Sequence, residues 1–139
     1  MKIFITTNEQ ETKEVAKSIA KNFRGGCIAL VGKLGAGKTI FTQGFAKGLG
    51  VKDKIISPTF ILIRQHKIPK SRKTLFHIDL YRVEKLEDLK ELCLEELFES
   101  RNNIVLIEWA EKAKDLLPKD TIWIIFKEIS QNKRKIIIE

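Results

Sequence analysis

The chain has 139 residues, of which 43% are hydrophobic and 32% charged, a balance that suits one folded core and excludes a disordered chain. No apolar run approaches the roughly 20 residues of a membrane span, and Met1-Lys2-Ile3-Phe4-Ile5-Thr6 lacks the apolar stretch of about 7–15 residues that an export signal needs, so a cytoplasmic protein is expected. The net charge of +8 is compatible with an acidic partner such as RNA, with nucleotide binding, or with solubility alone.

Residues 1–139 read as one domain, without repeats, low-complexity tracts or linkers. Ile3-Phe4-Ile5 is a short opening strand, expected at a sheet edge. A helix follows, and its start has two registers: Thr7 as cap with Gln10, or Asn8 with Glu11. Val15, Ile19 and Phe23 recur one helical turn apart beside Ala16 and Ala20, and Gly25-Gly26 closes the helix. Cys27-Ile28-Ala29-Leu30-Val31 is apolar throughout, as a buried parallel strand is.

Next comes Gly32-Lys33-Leu34-Gly35-Ala36-Gly37-Lys38-Thr39, which fits G-x-x-x-x-G-K-[ST]. Ile40, Phe41, Phe45 and Leu49 then repeat at helical spacing, and Gly48 and Gly50 suit that helix's end. Strand, glycine loop and helix form the context that gives this pattern its meaning as a phosphate-binding loop. Its glycines let backbone N–H groups converge on one point, and the helix aims its positive end there. Lys38 is expected to reach the β- and γ-phosphates, and the Thr39 hydroxyl to bind Mg²⁺.

Lys52-Asp53-Lys54 is a turn, and Ser57-Pro58-Thr59-Phe60 is extended because proline disfavours helix before it. Ser57 and Thr59 are candidates to line a γ-phosphate, as switch loops do, or simply form a capped turn. Phe60 to Gln65 and Thr74 to Asp79 read as a hairpin around the basic turn Ile68-Pro69-Lys70-Ser71-Arg72-Lys73. Leu86, Leu89, Leu92, Cys93, Leu97 and Phe98 give one helical apolar face, broken at Asn102-Asn103. Ile104-Val105-Leu106-Ile107 is an apolar strand running into Glu108-Trp109. A loop or short helix reaches Pro118, and Thr121 to Ile129 with Arg134 to Ile138 form a closing antiparallel hairpin. The sum is an α/β fold of P-loop NTPase type: a mixed sheet with parallel core strands, antiparallel hairpins and flanking helices.

Ligands of such sheets bind at the carboxyl ends of the strands, where the glycine loop, Asp79 and Glu108 all fall. A phosphate-loop protein needs an acid for Mg²⁺ after an apolar strand. Glu108 is assigned to Mg²⁺, directly or through water; Asp79 is assigned to orienting the attacking water or to the outer shell of the ion. His77 is read as a packing or orienting residue. Arg82 is open between a phosphate contact and a salt bridge, and Tyr81 and Trp109 between core and, for Trp109, a place near the nucleotide. Cys27 and Cys93 lie in apolar patterns and are expected to be buried; with no C-x-x-C pair and two histidines, a zinc site is not expected. Every glycine lies at or before Gly50, which removes a GTPase-type D-x-x-G switch, and Asn132-Lys133-Arg134-Lys135 lacks the Asp of a guanine-reading motif. ATP is favoured over GTP.

The glycine loop, Ser57-Pro58-Thr59-Phe60, His77-Ile78-Asp79-Leu80-Tyr81-Arg82 and Ile107-Glu108-Trp109-Ala110-Glu111 together, in this order and spacing, resemble the TsaE family of bacterial tRNA threonylcarbamoyladenosine synthesis. The resemblance runs over nearly the whole chain and implies binding of ATP with Mg²⁺, weak hydrolysis alone, and work with the TsaB–TsaD heterodimer, which hydrolysis resets between turnovers. It implies that Thr39 and Glu108 bind Mg²⁺, that Asp79 serves hydrolysis, and that Lys38 acts on the phosphates. The nucleotide contacts expected from the loop motif are Gly32, Leu34, Gly35, Ala36, Gly37, Lys38, Thr39 and Ile40, and the resemblance adds Glu9, Thr12 and Arg134 as the nearest matches to the family's N-terminal stretch and late Arg. Lys33 departs from the family, where Asp is common.

Charge is uneven. No acid lies between Lys54 and Ile78, whereas seven fall from Glu84 to Glu99 against Lys85 and Lys90. Such runs are solvated faces or docking surfaces. The basic turn admits a direct tRNA contact, and a nucleotide-switched RNA-binding module and a small-metabolite kinase are the competing functional classes. A kinase needs a lid and an acceptor pocket, for which little chain is left.

Overall fold

The computed structural model describes residues 1–56 and 63–139. The elements, in chain order, are β1 (Lys2–Thr6), α1 (Glu9–Asn22), β2 (Gly26–Val31), α2 (Lys38–Gly48), β3 (Ile63–Lys67), β4 (Thr74–Asp79), α3 (Leu86–Glu91), α4 (Leu94–Phe98), β5 (Asn103–Glu108), a 3₁₀ segment (Ala110–Leu116), β6 (Ile122–Glu128) and β7 (Arg134–Ile138).

Among the described residues the strands form one mixed sheet in the order β1-β7-β6-β2-β5-β4-β3. β6, β2, β5 and β4 run parallel. β3 joins β4, and β7 joins β6 and β1, antiparallel. The apolar runs fall where the alternation rule puts them: β2 and β5 are the most hydrophobic strands and lie inside, covered on both faces. β1 takes the edge position expected of it.

Even-numbered residues of β2, β5 and β6, with Leu75 of β4, face α1 and α2. Ile28, Leu30, Ile104, Leu106, Ile124 and Phe126 pack there against Ala16, Phe41 and Phe45. The other face carries Ala29, Phe76, Ile78, Val105 and Ile107 against Leu89, Leu94, Ala110 and Ala113 from α3, α4 and the 3₁₀ segment. Each fully buried Leu, Ile or Phe contributes about 1.5–3 kcal/mol relative to exposure, so these two layers hold the sheet and thereby the strand tips.

At the start of α1 the Asn8 register wins. Its Oδ1 accepts the Glu11 N–H at 2.8 Å, while Glu11 Oε1 accepts from the Thr7 N–H and hydroxyl at 2.7 and 2.8 Å. α2 ends in a Schellman motif, the Val51 N–H reaching Ala46 O and the Gly50 N–H reaching Lys47 O, both at 3.0 Å. Gly48 belongs to the helix, and its role is contact. A Cβ there would lie 2.8 Å from Ala20 Cβ, and one at Gly44 would lie 2.5 Å from Lys13 O, so α1 and α2 meet almost backbone to backbone.

The single helix expected from Leu86 to Phe98 is two short ones. Cys93 sits between them in a left-handed conformation, φ 51°, and swings the following turn so that Leu94, absent from the helical stripe, becomes fully buried. Leu86 and Cys93 are left exposed, so the expectation of a buried Cys93 is corrected as well, whereas Cys27 is buried as expected. The β3 strand extends two residues past Gln65 to Lys67. Ser57, Thr59 and the expected start of the strand at Phe60 lie outside the described residues.

Candidate functional site

The tips of β2, β4 and β5 converge at one point. β2 runs straight into the glycine loop, and α2 starts at its far end. Gly35 and Gly37 have φ of +80° and +108°, backbone that a side chain would strain, and Gly37 serves as the N-cap of α2 without a side-chain partner. The uncapped helix start leaves its first N–H groups aimed at the loop. Gly32 is there for space: a Cβ would stand 3.0 Å from both Cβ and O of Phe126. Leu34 projects outward at the loop tip, whereas Ala36 turns its methyl into the core beside Phe126, so only its backbone faces the loop's concavity.

Lys38 is buried, 4% exposed. Its ammonium donates to Gly32 O, and to Lys33 O at 3.0 Å, and lies 4.1 Å from the Trp109 ring centroid. Burial holds its pKa below the ordinary lysine range; the nearby carboxylates of Glu108, Glu111 and Asp79 pull the other way.

Register pairs Asp79 with Glu108 across β4 and β5, and Leu30 with Glu108 across β2 and β5, which brings both carboxylates to the loop's mouth. Glu108 is 3% exposed. Its Oε1 accepts the Thr39 hydroxyl at 2.9 Å, and its Oε2 lies 2.6 Å from His77 Nε2. Two hydrogen bonds hold this buried carboxylate in place, and with Glu108 as the acceptor His77 donates through Nε2. His77 is fully buried, and its Nδ1 has no hydrogen-bond partner among the described residues. His77, read as a packing or orienting residue, is thus buried and in contact with Glu108. Asp79 Oδ1 accepts the Tyr81 N–H at 2.9 Å, which fixes its carboxylate at the strand end.

Trp109 follows Glu108 with φ 59°, a conformation that costs a bulky residue on the order of 1–3 kcal/mol and is held by its neighbours. Its ring packs on Tyr81 at 5.1 Å, and Lys112 donates to Tyr81 O and Val83 O at 2.6 and 3.0 Å, pinning the exit of β4 to the 3₁₀ segment. Lys112 carried no motif and was not legible in the sequence.

On the opposite side of the loop, Glu9 and Thr12 from α1, Gly35 and Ile40, and Asn132 and Arg134 from the last hairpin line a cavity of about 120 Å³. Arg134 donates to Gly35 O at 3.3 Å. Thr12 pairs its hydroxyl with Thr6 at 2.9 Å and so forms a wall. The two ends of the chain thus meet the glycine loop, and the same wall contains Asn132, which in sequence is only a turn residue.

For Mg²⁺ the donors fit by chemistry: a hydroxyl and a carboxylate are hard oxygen ligands. Among the described residues no group of three or more His, Cys, Asp or Glu is placed to hold an ion unaided. Mg²⁺ takes one or two protein oxygens and completes its shell with water and phosphate.

A parallel core, a glycine loop joining a central strand to a helix, and carboxylates at the neighbouring strand tips define a P-loop-like α/β fold. The chain belongs to the TsaE family: the family model described as threonylcarbamoyl adenosine biosynthesis protein TsaE matches residues 6–136. A Bacillus subtilis protein named tRNA threonylcarbamoyladenosine biosynthesis protein TsaE is 38% identical over 135 residues, covering 94% of this chain and 80% of its own. One of the same name from Rickettsia bellii is 41% identical over 132 residues, covering 94% and 89%. The crystal structure of Bacillus subtilis YdiB superposes with a TM-score of 0.77 at 32% identity, over 97% of this chain and 82% of that one. The described residues contain no helix long and apolar enough to cross a membrane.

Proposed function

We propose that this site binds ATP with Mg²⁺ and hydrolyses it as the accessory step of tRNA threonylcarbamoyladenosine synthesis, weakly alone and productively with the TsaB–TsaD heterodimer, which hydrolysis resets between turnovers. The observation that carries the reading is the contact of Thr39 Oγ1 with Glu108 Oε1 at the mouth of the glycine loop. It puts the hydroxyl of the loop and the acid of the neighbouring strand tip on one small volume, where a phosphate-bound ion belongs.

The backbone of Gly32 to Thr39 cradles the phosphates. Lys38 exchanges the carbonyls of Gly32 and Lys33 for phosphate oxygens, a move that places a poorly solvated ammonium on an anion. Thr39 and Glu108 hold Mg²⁺, and His77 keeps Glu108 turned toward it. Bound Mg²⁺ supplies a Lewis acid that neutralises charge on the phosphate oxygens. Asp79, fixed by the Tyr81 N–H, orients the attacking water. Glu9, Ile40 and Arg134 border the nucleoside side, and Thr12 shapes its wall. The family's place in threonylcarbamoyladenosine synthesis supports the partners; the buried Glu108, held by Thr39 and His77, supports the chemistry.

The test is ATP hydrolysis by the purified chain, alone and with TsaB and TsaD, while threonylcarbamoyladenosine on tRNA is followed. Slow hydrolysis that rises with the partners, and loss of repeated modification in Lys38→Ala, are the expected results. Brisk phosphate transfer to a small acceptor without partners would overturn the proposal in favour of a kinase.

A further inference from the structure

The sheet divides the charge of the molecule. α3 and α4, on one face, carry Glu87, Asp88, Glu91, Glu95 and Glu96 against Lys90. The outer surface of α1 and α2, on the other, carries Lys13, Lys17 and Lys47 along the groove between the two helices. That groove runs through Gln43 and Lys47 into a broader one of about 650 Å³, lined also by Lys52 and Lys54. The basic hairpin turn continues the same surface. Pro69 packs beside Gly50, His66 Nδ1 lies 2.9 Å from Asp53 Oδ2, and Lys73 donates to Arg24 O at the end of α1. Lys70 and Arg72, in that turn, are exposed.

Two acids lie within this surface, Glu14 and Asp53, and neither is within ion-pair distance of a lysine. Glu14 accepts from the Gln10 amide at 2.8 Å, and Asp53 faces His66. Among the described residues no carboxylate lies within ion-pair distance of Lys13, Lys17, Lys47, Lys52 or Lys54. A continuous run of unpaired ammonium groups on grooved, rigid helices is what a phosphate backbone neutralises. An acidic protein is the less suitable occupant. Protein interfaces centre on aromatic side chains, and among the described residues no aromatic side chain lines either groove.

We propose that the α1–α2 face, continued by the β3–β4 turn, binds the phosphate backbone of folded RNA without reading its sequence. The surface is separate from the glycine loop and its carboxylates, so this proposal stands independently of the nucleotide reading; the choice of RNA over DNA rests on membership of a tRNA-modification family.

The test uses the full chain, fluorescently labelled bulk transfer RNA and anisotropy between 50 and 200 mM salt. The expected binding weakens with salt at a log–log slope of about −3 to −5, since each neutralised phosphate contributes roughly −0.7 to −0.9. The triple change Lys47→Glu, Lys54→Glu, Arg72→Glu is expected to lower affinity by about tenfold or more at 50 mM salt, whereas Lys85→Glu with Lys90→Glu on the acidic face lowers it by less than about twofold. Circular dichroism melting confirms that each variant folds, and ATP binding by the triple variant stays at the parent level. Absence of binding at 50 mM salt, or equal affinity of the triple variant and the parent, overturns the proposal. Equal competition by polyglutamate overturns it in favour of an acidic protein, and tighter binding to duplex DNA of matched length overturns the choice of RNA.

Discussion

Thr39 and Glu108 stand 69 positions apart in the chain and 2.9 Å apart through Oγ1 and Oε1, the first at the start of α2 and the second at the tip of β5. The pairing exists because β2 and β5 are parallel neighbours whose register aligns Leu30 with Glu108, and the glycine loop folds back over that end. Two segments that share no local sequence signal thereby build one oxygen-lined volume.

Glu108→Gln keeps the shape and an acceptor for Thr39 but removes the charge. The expected outcome is ATP affinity that no longer rises when Mg²⁺ is added, a loss of about tenfold or more, equivalent to roughly 1.4 kcal/mol. Calorimetric titration with Mg²⁺ and with EDTA measures it. An unchanged Mg²⁺ dependence would remove Glu108 from the metal site.

Asp79→Ala is expected to bind ATP within about threefold of the parent and to lose turnover by about 100-fold or more, in line with the 10²–10⁴-fold that a positioned general base contributes. Nucleotide binding and partner-stimulated hydrolysis are measured on the same preparation. Intact turnover defeats the assignment of Asp79.

Removing His77 leaves Glu108 buried with one donor fewer, at a cost of about 1–3 kcal/mol. His77→Ala is therefore expected both to lower the melting temperature and to weaken Mg²⁺-dependent nucleotide binding. His77→Gln, which offers an amide N–H in much the same place, is expected to recover a large part of the Mg²⁺ dependence. A structural role alone would lower stability in both variants and leave that dependence untouched.

Much of this was legible in the sequence because local signals and topology agree there. A glycine loop between an apolar strand and an amphipathic helix, and acids directly after apolar runs, place the loop, Asp79 and Glu108 without knowledge of strand order. Tertiary contact decided the rest. Periodicity from Leu86 to Phe98 supports one helix, but burying Leu94 against β5 and its neighbours required a break, and Cys93 supplies it at φ 51°. Both candidate registers at the start of α1 had a usable cap; Asn8 holds it because Glu11 then serves the Thr7 N–H and hydroxyl as well. The His77–Glu108 contact and the Lys112 clamp join residues 31 apart or nearly so, and no spacing rule announces them.

The two cysteines should part company in a thiol titration. Cys27 is 3% exposed, and burial pushes its thiol up to about 12, so at pH 8 almost no thiolate is present. Cys93 is exposed between α3 and α4. One equivalent is expected to react with an aromatic disulfide reagent in the native protein, and a second only in denaturant. Cys93→Ser is expected to abolish the native reaction; rapid native labelling of Cys27 would contradict the buried β2 strand.

The α1–α2 contact makes the most exacting stability prediction. Alanine normally favours a helix interior over glycine by roughly 1 kcal/mol. At Gly44 that gain meets backbone: the added Cβ would lie 2.5 Å from Lys13 O and 2.6 Å from Lys13 Cα, neither of which can rotate away. The helices must separate, and both the core beneath them and the site above depend on where α2 sits, since Lys38 and Thr39 begin that helix. Gly44→Ala is expected to be destabilising by about 1–3 kcal/mol, the usual cost of overpacking, and to lower the melting temperature by several degrees. It should also weaken ATP binding although residue 44 is remote from the glycine loop. A melting temperature at or above that of the parent would mean that α1 and α2 have room to spare, and that the close approach is incidental to the placing of Lys38.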